Sequence, residues 1–197
     1  MRSVIIKSAM QAVRVYGLDG VRIQHIGEMS GCATSNLYAH FSGKDELLQV
    51  CFDTVDRQIA QVFDQVQIDP IGLDLDPEWE VFRLWAAFWR WLTTHPDETV
   101  FYHRYRDSAA FPQLDKARDK SHFASLTQSV QLLERRFQLF GRFPPDLIRL
   151  HALTATVMYA KYVVEGALPN DGETEQTVFR LLMNGLRDLA GVPAPAG

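Results

Sequence analysis

The chain has 197 residues, 47% of them apolar, and a formal net charge of −4. That length supports one large core or two modest ones, and the acidic balance excludes a protein coated all over with nucleic acid while leaving room for a local reading head. No run approaches the ~18 uninterrupted apolar residues of a membrane span, and MRSVIIKSAM, interrupted by Lys7, is too short an apolar run for a secretory signal.

Every element reads as a helix. The first spans about 3–16, with Ile5, Ala9, Ala12, Val13 and Tyr16 at helical spacing and Gly17 as its stop. Residues 20–48, GVRIQHIGEMSGCATSNLYAHFSGKDELL, hold the most informative pattern. Its second helix runs from Ile23 to about Ser30, with Ile23, Ile26 and Met29 on one face. Gly31 takes a left-handed backbone at no steric cost and reverses the chain. The third helix, about Thr34 to His40, is small and polar on one side and anchored by Leu37 and Phe41. It buries too little to be a strut, and it has the form of a helix-turn-helix reading head.

The fourth helix starts near Gly43 and reaches about Val66, with Asp45 and Glu46 in its first turn, where the helix dipole favours anions. The segment IDPIGLDLDP, 68–77, is a loop. A fifth helix opens at Pro77-Glu78 and ends at Thr94 before Pro96; a sixth covers about 97–108; a seventh, about 113–140, ends at Gly141. The eighth, about 146–166, follows Pro144-Pro145, and the ninth, about 173–190, ends at Gly191 before a loose tail, VPAPAG. The expected fold is all-α with about nine helices. Residues 1–48 are expected to form a three-helix domain carrying the helix-turn-helix head, joined along the fourth helix to a helical body, 49–197.

Gln24, Thr34, Ser35, Asn36 and Ala39 are the candidates for base edges. Amides hold adenine through N6 and N7, hydroxyls pair either way, and an alanine methyl meets that of thymine. Arg22 and Lys44 lie at the edges of the motif, where phosphates would be. Residues 1–57 carry six basic side chains against six acidic ones, so the head is neutral, with much of the acid after Lys44.

These residues resemble the DNA-binding segment of the TetR/AcrR family of bacterial transcriptional regulators. The match lies in Gly17, Ile26 and Gly27, Ser30 to Ala33, the run Leu37, Tyr38, Ala39, His40, Phe41, then Lys44, Leu47 and Leu48; it covers about a quarter of the chain. The resemblance implies that Tyr38 and His40 face the phosphate backbone and that Lys44 reaches a phosphate. Packing of Tyr38 between the first and third helices is the alternative. Two departures stand out. The family often has Ser or Thr where Arg22 and Ala33 stand, and a lost cap costs about 1 kcal/mol; Thr34 is a possible shifted cap. Gly27 replaces the usual Ala and loosens its helix by up to about 1 kcal/mol.

In the body, Trp85, Phe88, Trp89, Phe101, Tyr102, Tyr105 and Tyr159 are candidates for an effector pocket, since bundle cavities are lined by aromatics with a few polar groups. An ordinary core of large residues is the alternative. His95 and His103 lack ligand spacing, Cys32 and Cys51 lack a CxxC, and no metal or cofactor is expected. The eighth and ninth helices carry apolar residues over a wider arc than one buried face needs. A two-fold four-helix interface, which the resemblance also implies, explains the surplus; full burial in one subunit is the alternative. No nucleophile–base pair, interior carboxylate pair or phosphate loop points to an enzyme. The expectation is a cytoplasmic, homodimeric, ligand-responsive regulator that binds a palindromic double-stranded operator as a repressor and is released by a small molecule. The alternative is a DNA-bound protein-interaction factor without an inducer. Inducer, operator and target genes are not legible.

Overall fold

The computed structural model describes residues 1–66, 76–111, 124–137 and 145–190. Among them nine helices and no strand occur: α1 (Arg2–Gly20), α2 (Ile23–Ser30), α3 (Thr34–His40), α4 (Lys44–Gln65), α5 (Pro77–Thr94), α6 (Pro96–Arg106), α7 (Ala124–Phe137), α8 (Pro145–Val164) and α9 (Gly172–Ala190). The loop 68–75, both ends of the expected seventh helix, Gly141, Pro144 and the tail VPAPAG lie outside the described residues.

The local signals act where expected. Gly17 sits at φ 76° and ψ 168° and breaks α1; a short turn carries the chain on to Gly20. Gly31 sits at φ 67° and closes α2. Asp76 caps α5 by accepting the Glu78 N–H at 3.0 Å, with proline in the first turn. The Glu46 carboxylate accepts the Ser42 N–H at 2.6 Å, and the Ser42 hydroxyl, then this N–H, hold its pKa below the usual carboxylate range. The sixth helix is shorter than expected and ends at Arg106, with Asp107 as its cap.

One apolar core runs through head and body. It joins Ile5, Ala9, Ala12 and Val13 of α1 to Ile26, Leu37 and Phe41, then Leu47, Cys51, Val55 and Ile59 of α4, and on to Trp85, Trp89, Phe101 and Tyr102. Helix α4 belongs to both parts and passes residue 48 without a break. Helix α1 also packs on α6, so the head rests on the body beside α4 as well as through it. Among the described residues no helix is long and apolar enough to cross a membrane.

Candidate nucleic-acid interface

Helix α3 is seven residues long and buries only Leu37 among them. So short a helix is not stable alone; Leu37 at 1% exposure and Phe41 at 3% pin it to the head. Burial of one such side chain stabilises by about 1.5–3 kcal/mol. The rest of the helix faces outward: Ser35, Asn36, Ala39 and His40 are exposed and Thr34 is half-buried. Tyr38 is 58% exposed, so it does not pack between α1 and α3. Gln24 and Arg22, on and before α2, are exposed as well. The structure thus leaves the base-edge candidates Ser35, Asn36 and Ala39 of α3 exposed and Thr34 half-buried, with Gln24 exposed on the neighbouring helix.

The caps differ in their chemistry. Arg22 is the N-cap of α2, and its N–H donates to His25 Nδ1 at 3.3 Å. The His25 ring stacks on Tyr16 at 4.0 Å. An arginine has no acceptor to offer the helix amides in return, so the cap is half-made and the guanidinium stays in solvent. Ala33 is the N-cap of α3 and contributes no side-chain bond. A Cβ on Gly27 would stand 3.0 Å from the Cys32 carbonyl. That contact is tight, so an alanine here asks the α2–α3 turn to give by a few tenths of an ångström, and glycine relieves it.

Lys44 is only partly available to a phosphate. Its ammonium donates to the carbonyls of Leu18 and Val21, at 3.2 Å each. Those carbonyls end α1, where a cation is favoured. Lys44 therefore ties the start of α4 to the end of α1, with one proton left for another acceptor.

In the body the aromatic candidates separate into two clusters. Trp85 and Trp89 stack at 5.3 Å, with Phe179 5.3 Å from Trp85. The Trp85 indole donates to Thr156 at 2.9 Å. Phe88 packs on Phe63 instead. Tyr102 stacks on Phe52 at 5.1 Å, near Tyr105 and Phe111, and Phe101 packs on Tyr105. Phe101 and Tyr102 present no surface, at 0% exposure each. Tyr159 is half-buried, against the core. The Tyr102 hydroxyl donates to Asp56 and accepts from Arg106. Burial, then the Asp56 charge, push its pKa far above the tyrosine range. Asp56 is not among the sequence candidates; its signal is a carboxylate on the buried face of α4. A groove of about 280 Å³ lies beside the first cluster, lined by Trp79, Phe82, Phe179, Asp76, Gln176 and Arg180.

His95 Nδ1 lies 2.7 Å from the Trp91 carbonyl, and His103 pairs with Asp107 at 3.4 Å. Among the described residues no cluster of His, Cys, Asp and Glu is arranged to hold a metal.

Residues 5–51 match the family model for bacterial regulatory proteins, tetR family. No curated protein matches the sequence. Among solved structures, the chain is similar to a TetR family transcription regulator from Marinobacter aquaeolei VT8, at 19% identity, with 94% of each chain covered and a TM-score of 0.76. It is similar to the fatty acid degradation regulator FadR of Bacillus halodurans, at 16% identity, covering 94% of this chain and 96% of that one, TM-score 0.69. FadR of Bacillus subtilis, solved in complex with stearoyl-CoA, matches at 12% identity over 94% of this chain and 99% of that one, TM-score 0.66. Residues 5–51 are thus similar to the DNA-binding segment of the tetR family, and the chain shares its overall fold with the solved TetR family regulators.

Proposed function

We propose that the chain is a homodimeric, ligand-released repressor that binds a palindromic operator through α3 and has no catalytic activity. The observation that carries the reading is the exposure of Ser35, Asn36, Tyr38, Ala39 and His40 on a helix held only by Leu37 and Phe41. A seven-residue helix reaches few base pairs, and a neutral head supplies little phosphate affinity. Two heads one helical turn apart, at about 34–36 Å, supply the missing contacts. Helices α8 and α9 support the pairing: Leu147, Leu150, Tyr162 and Leu181 are 53%, 46%, 41% and 54% exposed in the single chain. A second copy laid across them by a two-fold axis covers that surface.

The proposed effector region is the aromatic part of the body, including Trp85, Phe88, Trp89, Phe101, Tyr102, Tyr105 and Tyr159. Support comes from the fold, since FadR of Bacillus subtilis is solved with stearoyl-CoA. A ligand releases DNA if it favours, by several kcal/mol, a body whose heads are wrongly spaced. One observation favours a second reading, a DNA-bound protein-interaction factor without an inducer: Trp85 and Trp89 are 8% and 2% exposed and stack in a solid core. A groove at Trp79, Phe82 and Phe179 opens beside that core.

The test is selection of bound duplexes from random fragments by the full chain. The expected product is a two-fold site with half-site centres about 10 bp apart, and Tyr38→Ala abolishes its binding while the dimer persists. A chain that sediments as a monomer and retains no duplex refutes the proposal. Thermal melts with added acyl-CoA or other lipophilic anions separate the two readings, since only an inducible body is stabilised by one of them.

A further inference from the structure

We infer that Arg104 is a positioning residue for the reading head: it grips the broken end of α1 and so fixes the half-site spacing that the dimer accepts. The inference rests on the DNA-binding, dimeric reading above for its spacing consequence, and on geometry alone for the grip.

Gly17 interrupts α1. Val13 and Arg14 lie in the last turn before that break, where helix carbonyls need partners from elsewhere and negative partial charge collects. Arg104, on α6, supplies them. Its Nη1 donates to Val13 O at 2.6 Å and to Arg14 O at 3.1 Å. Its Nη2 lies 3.7 Å from the Glu165 carboxylate just past α8, which Lys161 also meets at 3.2 Å. Arg14 answers in the opposite direction, donating to Asp97 in the first turn of α6 at 3.0 Å and to Val164 O at 3.3 Å. Beyond the break, Lys44 holds the carbonyls of Leu18 and Val21. The end of α1 is thus gripped from the body by Arg104 and from within the head by Lys44, and the next helix it feeds is α2.

The geometry explains why such a grip matters. A head carried on α4 alone swings and twists about that one strut. A second attachment off the α4 axis removes the swing. Arginine suits the place because its planar fork stays charged and offers several donors in fixed directions. Accuracy is needed because one base pair inserted between half-sites shifts one by about 3.4 Å and turns it by about 35°.

Spin labels at Ser35→Cys in α3 and Asn170→Cys between α8 and α9, both exposed, report the head-to-body distance within one protomer when the labelled chain is diluted into excess unlabelled chain, while Cys32 and Cys51 are buried. The unmodified clasp gives one narrow distribution; Arg104→Gln broadens it with α8 and α9 unchanged. On selected operators lengthened or shortened by one base pair, the parent loses at least about 30-fold in affinity, and Arg104→Gln loses less than about fivefold between spacings. Arg104→Lys keeps the charge but not the fork and falls between them; it also serves if Arg104→Gln does not fold. A folded variant with the parent's distance width and the parent's spacing discrimination overturns the inference and assigns the head's pose to apolar packing of α1 on α6. A parent chain that ignores every duplex defeats the DNA-binding reading, while the distance widths still decide whether Arg104 holds the head.

Discussion

Replacing Tyr102 by Phe removes one oxygen from a site with 0% exposure. The hydroxyl donates to Asp56 Oδ1 at 2.9 Å and accepts from Arg106 Nη1 at 3.1 Å. The ring stays, stacked on Phe52 with centroids 5.1 Å apart, so no cavity large enough to matter opens. Arg106 is only half-buried and can turn to water. Asp56 is 4% exposed and loses one donor while keeping its other contacts. A hydrogen bond to a charged group contributes about 1.5–3 kcal/mol, and the expected loss is about 2 kcal/mol. In urea the midpoint falls and the slope is unchanged; on heating the midpoint drops by roughly 4–8 °C for a chain of this size. The variant also isolates an alkaline effect. The folded Tyr102 keeps its proton far above the pH at which an unfolded tyrosine, with a pKa of about 10, releases it. Stability therefore falls as pH rises above about 10, and falls less steeply in Tyr102→Phe. A loss under about 0.5 kcal/mol at neutral pH, with an unaltered alkaline limb, refutes the reasoning: Asp56 is then satisfied by its remaining partners.

Ala33→Ser installs the missing cap of α3 at an exposed position whose backbone already suits it, at φ −61° and ψ 144°; the expected gain is about 1 kcal/mol in urea melts. Lys44→Met weakens two processes at once, because it frees the Leu18 and Val21 carbonyls as well as removing a charge near DNA; both thermal midpoint and operator affinity fall, and loss of affinity alone would contradict the tie to α1. Burial holds the His103 pKa below the ordinary histidine range, against the opposing pull of Asp107. The unfolded chain therefore takes up that proton first as pH falls below about 6.5, and stability declines there; His103→Gln flattens the decline between pH 7.5 and 5.5 in urea midpoints. With few basic groups near α3, the logarithmic salt slope of operator binding is expected at roughly 4–7 per dimer, at about 0.9 per neutralised phosphate.

The head was legible because its signals are short-range. Gly31 had to turn left-handed, Leu37 and Phe41 were the only large apolar groups on a polar stub, and Pro77 and Pro96 mark helix starts by removing an amide that needs no partner there. What was not legible depends on distant chain segments meeting. The tie of Lys44 to the Leu18 and Val21 carbonyls is hidden because nothing near it in sequence shows that they lie within 3.2 Å. The hold of Arg104 on the Val13 and Arg14 carbonyls is hidden for the same reason. The aromatic run of α5 and α6 read as one wall, but helix packing divides it: Trp85 turns to Thr156 on α8 and Tyr102 to Asp56 on α4. Gly27 read only as a weak helix former, since the closeness of the Cys32 carbonyl to where a Cβ would stand appears only when the turn is closed.

The most direct test of the account is the operator affinity of Ser35→Glu, measured by fluorescence anisotropy on the selected duplex. Ser35 is exposed on α3, so the carboxylate disturbs no packing, but it would face phosphates and base edges in both half-sites. Like-charge juxtaposition at an interface costs several kcal/mol, so the account predicts a loss of at least about 100-fold with melting temperature and dimer unchanged. Undiminished affinity would show that α3 does not enter the groove.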